Sequence, residues 1–148
     1  MPTKKNITLP KVWHLFTDGA AKGNPGPAGA GWVLTSDQDS DSFKDCKFIG
    51  QATNNEAEYQ ALILGLQQAL ARGVQVIRIY MDSELLVRQL NGDYRVKNQR
   101  LKIFFNQVQD LLMKFLKYDI IHIPREENRE ADQMANEAIK DQGKIKSA

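Results

Sequence analysis

Four carboxylates stand in four short segments far apart along the chain: Asp18 in FTDGAAKGNPGPAG, Glu58 in NNEAEY, Asp82 in YMDSE and Asp132 in EENREAD. If the fold brings them together, they form an all-oxygen donor set. Magnesium and manganese prefer oxygen ligands, so the chemistry such a set supports is that of a bound hard divalent cation.

Each acid also has a plainer reading. Asp18 follows an apolar run and opens a glycine-rich stretch, where an Asx-turn would equally place an aspartate. Asp82 closes the VIRIYM run, and helix capping shared with Ser83 would account for it alone. In parallel α/β sheets, however, ligands bind at the carboxyl ends of strands. Glu58 is in helical phase with Leu62, Leu66 and Ala69, so it shares their apolar face, where a lone carboxylate is costly without a cation. Glu56, two residues earlier, points elsewhere and reads as a solvent-facing acid favoured by the helix dipole. Asp132 shares a face with Ala135 and Ile139, while Glu126, Glu127 and Glu130 already supply acid to that helix start. Four such carboxylates at one end of a sheet would repel one another unless cations neutralised them.

The elements that must position these acids follow from periodicity. Residues 12–17 (VWHLFT) read as a buried strand, the Gly/Pro-dense stretch after them as a turn, and 31–35 and 43–51 as two more strands. Short connections make these an antiparallel meander. Residues 55–72 switch to helical spacing, 76–81 form a strand, and Ser83 caps a short helix to about residue 90. An amphipathic helix spans 98–116, a last strand 118–123 and a last helix 127–140. The order βββαβααβα specifies an α/β fold with a mixed sheet. Residues 1–11 are expected to be a loose arm, 12–140 one domain, and 141–148 a frayed tail.

Composition bounds the rest. The chain has 148 residues, 42% of them hydrophobic, enough for one core without disulfides. The single cysteine, Cys46, excludes an intrachain disulfide framework and reads as a buried small hydrophobe; a cytoplasmic location fits. No apolar run approaches a membrane span, and the start of the chain has no apolar signal core. Net charge is only +2. The basic residues Arg88, Arg95, Lys97, Arg100 and Lys102 nevertheless cluster against Asp93 alone. Such a run is a solvated face unless a polyanion must be bound. His14, inside the first strand, reads as structural.

At these residues the chain resembles ribonuclease H of type 1, over roughly residues 12–140. TDGAAKGNPGPAGAG is similar to the family's first motif, ATNNEAEYQAL to its first-helix motif, YMDSELLVRQL to its strand-to-helix motif and HIPREENREADQMANEA to its last. The resemblance implies a five-stranded mixed sheet flanked by helices. It implies an endonuclease that hydrolyses the RNA strand of RNA–DNA hybrids with two magnesium ions, or manganese, held by Asp18, Glu58, Asp82 and Asp132. Ions ~3.5–4 Å apart activate water and stabilise the leaving 3′-oxygen, giving 5′-phosphate and 3′-hydroxyl ends. His122 matches the family's loop histidine, and Arg125 matches an arginine that other members carry before the last aspartate; both remain candidates. Gly19, Asn24, Asn54 and Asn55 fall where the family contacts ribose and bases, Thr53 with Asn24 where it contacts a DNA phosphate, and Ser83 joins this set. Turn and helix-cap roles would also suit Asn24, Asn54 and Asn55.

The segment NGDYRVKN leaves no room for the basic, Trp-containing protrusion of many bacterial members, and eleven leading residues are too few for a hybrid-binding module. The chain therefore reads as a compact member without the protrusion, and, since nothing in the sequence requires an oligomer, a monomer is expected. Its backbone affinity would rest on Arg95, Lys97, Arg100 and Lys102, with strong salt dependence. Double-stranded RNA as a further substrate, or a non-catalytic nucleic-acid-binding module, are the alternatives.

Overall fold

The computed structural model describes residues 10–37 and 41–147. Most of the expected N-terminal arm lies outside them. Five strands form one sheet in the order β3-β2-β1-β4-β5. Strands β1 (Val12–Ala21), β2 (Gly26–Ser36) and β3 (Ser42–Ala52) are an antiparallel meander, with Thr17 opposite Trp32 and Trp32 opposite Asp45. Strands β4 (Val76–Met81) and β5 (Lys117–His122) join parallel to β1 through helical crossovers. This is the expected mixed sheet and element order.

Helix α1 (Asn54–Ala71) packs on β1 and β2, with α3 (Gln99–Leu112) against α1. Leu15, Leu34, Leu62, Leu66, Ile77, Ile79, Val108 and Leu112 fill the layer between them and are essentially inaccessible to solvent. Helix α2 (Glu84–Leu90) follows β4 directly, and α4 (Arg129–Ser147) covers the other face over β2 and β3. Ser83 caps α2 as expected, its side chain accepting from the Leu86 amide, while Thr53, not Asn54 or Asn55, caps α1 by accepting from the Glu56 amide, and Asn98 caps α3 by accepting from the Leu101 amide.

Four expectations change. The Gly/Pro-dense stretch is mostly strand, since β1 runs to Ala21 and β2 begins at Gly26. Its glycines serve close approach. A methyl on Gly31 would collide with the Ala131 carbonyl of α4, and one on Gly19 with the Ala57–Glu58 peptide of α1. Second, α3 ends at Leu112, and residues 113–116 lead into β5 with Leu116 71% exposed. Third, α4 continues past Lys140 to Ser147 where a tail was expected. Last, Cys46 is half-buried on β3; burial first, then the charge of Asp45, pushes its thiol pKa up, so it stays protonated. No helix among the described residues is long and apolar enough to cross a membrane.

Candidate active site

The sheet sets up the acid cluster by its topology. β1 carries Asp18, 9% exposed, directly after the buried Thr17. β4 ends at Met81, so Asp82 leaves the neighbouring parallel strand at its carboxyl end. Glu58 lies one turn into α1 on the face it shares with Leu62, Leu66 and Ala69, each fully buried. One oxygen from each of Asp18, Glu58 and Asp82 falls within 4.8 Å of the others. Asp132, in the first turn of α4, stands outside that trio but hydrogen-bonds to the Asp18 carboxyl and lines the same cleft of about 470 Å³.

The electrostatics of this cluster are unfavourable on its own. Asp18 is pushed up to about 9, first by burial, then by the charge of Asp82, the hydrogen bond with Asp132, and the charges of Glu58 and Asp132. Glu58 is pushed up to about 7 by burial and by Asp82, while a hydrogen bond with the Ser83 side chain opposes the rise. Three converging carboxylates, oxygen donors only, at a cost that a counter-charge would remove: this donor set fits a hard divalent cation.

A "Reverse transcriptase-like" family model matches residues 16–138. The ribonuclease H of Campylobacter concisus is 32% identical over 91% of this chain and 99% of its own length. The chain belongs to the ribonuclease H family, type 1. The Ribonuclease HI of Halobacterium salinarum is 41% identical over 86% of the chain, and the crystal structure of RNase H1 from that organism superposes with a TM-score of 0.84, covering 88% of this chain and 98% of that one. LC11-RNase H1 in complex with an RNA/DNA hybrid gives a TM-score of 0.82 at 40% identity, covering 88% and 98%. The chain spans 35–64% of the length of the first curated relatives it matches.

Around the acids of this ribonuclease H-family chain, the structure ties two loops together. The Asn24 side-chain oxygen accepts from the Asn54 amide at 3.0 Å, and that of Asn54 accepts from the Ala21 amide at 3.2 Å. Asn54 and Gly19 line the cleft, and Thr53 caps the helix that begins at Asn54. Arg125 also lines the cleft. His122 closes β5, exposed and outside the cleft lining. Ser83 is divided between capping α2 and its bond to Glu58. Asn55 sits half-buried in the first turn of α1, away from the cleft lining, and Arg95 and Lys97 are exposed between α2 and α3.

Three residues gain importance that the sequence did not suggest. Asn128 is 1% exposed, and its Nδ2 donates to the Thr17 carbonyl at 2.9 Å and to Asp82 Oδ2 at 3.3 Å. Its own carbonyl accepts from the Asp132 amide at 3.1 Å. One side chain and its backbone thus tie β1 beside Asp18, the Asp82 carboxylate and the start of α4. In the sequence it falls inside the expected last helix, 127–140, where nothing marks these contacts; only the observed start of α4 at Arg129 puts it just before the helix. Asn136 donates from Nδ2 to Asp132 Oδ1 at 3.3 Å and lines the cleft. Glu56, expected at the solvent, is 8% exposed; its Oε1 accepts from the Thr53 amide at 2.9 Å and its Oε2 pairs with Arg100. The capping box turns this side chain back along the helix end, which periodicity does not show.

Proposed function

We propose that this chain hydrolyses the RNA strand of RNA–DNA hybrids, with divalent ions held by Asp18, Glu58, Asp82 and Asp132. The observation that carries the reading is the convergence of Asp18, Glu58 and Asp82 oxygens within 4.8 Å in an open cleft, on the fold of a neighbour in complex with an RNA/DNA hybrid. When bound, a pair of magnesium or manganese ions supplies an activated water and charge neutralisation at the departing 3′-oxygen.

The chain's own groups do the rest. Asp18 and Glu58 bind protons until a cation takes their place, so ion binding releases protons from the cleft. Asn24, Asn54, Asn55 and the Gly19 backbone read ribose and base, because an amide offers donor and acceptor together and the 2′-hydroxyl is both. Thr53 and Ser83 hold the loop and the Glu58 carboxylate for that contact. Arg125 can grip a phosphate in two places at once. His122, exposed at the end of β5, is the candidate to assist proton transfer or product release. Arg95 and Lys97 hold the duplex backbone, and a monomer suffices.

The test is cleavage of an end-labelled RNA–DNA hybrid in magnesium, manganese or excess chelator. We expect 5′-phosphate and 3′-hydroxyl products with either metal and none with chelator; an intact hybrid under all three conditions overturns the reading. Arg125, which matches an arginine of members that also take double-stranded RNA and which lines the cleft, supports that duplex as a second substrate. Failure to cut an RNA duplex of the same sequence would remove that addition alone.

A further inference from the structure

The α2–α3 segment carries Arg95, Lys97, Arg100 and Lys102, four cations that would serve equally to hold a polyanion. They are not equivalent in the structure. Arg95, Lys97 and Lys102 are exposed. The Arg100 side chain is also 67% exposed, yet its Nε is joined to Glu56 Oε2, on a side chain only 11% exposed. The other Glu56 oxygen accepts from the Thr53 amide at 2.9 Å, while the Thr53 hydroxyl accepts from the Glu56 amide at 3.2 Å. One residue further on, the Asn54 amide donates to Asn24 and Asn54 accepts from Ala21. A continuous polar chain therefore runs from the first turn of α3, through Glu56, to the loop that lines the cleft.

A buried carboxylate that already caps a helix gains most from one fixed cation, and a guanidinium committed to it has little left to offer a phosphate. We propose that Arg100 is a positioning residue: Glu56 withholds it from the phosphate-binding set and uses it to fix segment 91–98, with Arg95 and Lys97, in register with the cleft loop. Arg100 then contributes to affinity through geometry, and Arg95 and Lys97 through counterion release. The inference rests on the hybrid-binding reading for its effect on affinity and on the ion pair alone for its effect on segment 91–98.

The two parts are tested separately. Affinity of the full chain for a labelled RNA–DNA hybrid is measured in calcium (added in place of magnesium to suppress cleavage) over a range of salt concentrations. Lys97→Ala should flatten the plot of log affinity against log salt by about one unit, the loss of one phosphate contact. Arg100→Ala should leave the slope unchanged and weaken binding roughly three- to fivefold at every salt, the scale of one partly exposed ion pair. Glu56→Gln keeps the acceptor for Thr53 and should cost the same, and the double variant no more than either single one. In the free protein, amide exchange over residues 91–98 should quicken in Arg100→Ala. A slope flattened as in Lys97→Ala, additive losses, or unchanged exchange over 91–98 would each overturn the inference. Absence of salt-dependent binding by the parent chain would instead overturn the hybrid reading, while faster exchange in the variant would still support the ion pair's hold on the segment.

Discussion

Glu56 and Glu58 leave the first turn of α1 two residues apart and enter regions with opposite electrostatics. On the Glu56 side the carboxylate is answered within the chain: one oxygen takes a backbone amide and the other an arginine. On the Glu58 side the neighbours are Asp18 and Asp82, and the charges add. The far end of β1 resembles the first case, with the His14 ring nitrogens 2.7 Å from the Tyr80 hydroxyl and 2.6 Å from Asp37 Oδ1. The difference separates acids that hold the fold from acids that the fold must hold. The first are complete without a ligand, and the second are arranged at the chain's own expense for an external cation.

The largest break in this comparison comes from neutralising an acid of the cleft. Asp82→Asn keeps the shape and an acceptor for Asn128 but removes one anionic donor from the trio. If charge stabilisation at the cleft is worth several kcal/mol, single-turnover cleavage of the hybrid should fall on the order of a thousandfold or more. The variant should fold as the parent does. Activity within a few-fold of the parent would show that the cluster is not the reacting centre.

Next in size is the response of the metal-free chain to pH. Asp18 moves from 3.8 to about 9 and Glu58 from 4.5 to about 7 on folding. Between those values the folded chain binds more protons than the unfolded one, so stability falls as pH rises. The contribution is complete below about pH 4 and is lost through about 7 for Glu58 and about 9 for Asp18. The melting temperature in chelator should therefore decline between about pH 4 and 9. The upward shift in Tm given by magnesium should grow over the same interval, because fewer protons compete with the ion. A magnesium shift independent of pH would mean that the ion binds elsewhere.

Asn128→Ala tests whether the acids need an internal partner to be held in place. It removes the bond that orients Asp82 and the tie to the Thr17 carbonyl. Outer-shell partners of this kind typically change metal affinity by about 10–100-fold. The magnesium concentration for half-maximal thermal shift should rise by roughly that factor. An unchanged midpoint with a lowered melting temperature would assign Asn128 to the fold alone.

How much of this was legible in the sequence differs between the two regions. Helical phase placed Glu58 correctly, because an inward face is set by the 3.6-residue repeat and Leu62, Leu66 and Ala69 mark it. The same rule misjudged Glu56, whose position depends on a cap and on Arg100, forty-four residues away. The alternation that betrays a strand fails between Asp18 and Gly31, where glycines replace side chains so that α1 and α4 can approach the sheet. Asn128 stood unmarked within the expected last helix because its partners, Thr17 and Asp82, are distant in sequence. Local period was visible, whereas contacts made by backbone carbonyls and by one side chain serving two elements were not.

The smallest effect is also the most discriminating, since it concerns sign. In chelator at about pH 8, Glu58→Gln removes a charge that burial and Asp82 oppose, so its Tm should rise. Glu56→Ala, by contrast, deletes half a capping box and leaves Arg100 without its partner, which should cost about 1 kcal/mol. For a chain of this size that lowers Tm by roughly 2–4 °C. Addition of magnesium should reverse the order of parent and Glu58→Gln, because only the parent keeps the full donor set, and should raise parent and Glu56→Ala alike. Two shifts of the same sign in chelator would remove the distinction between acids that complete the fold and acids that await a cation, since both would then be structural.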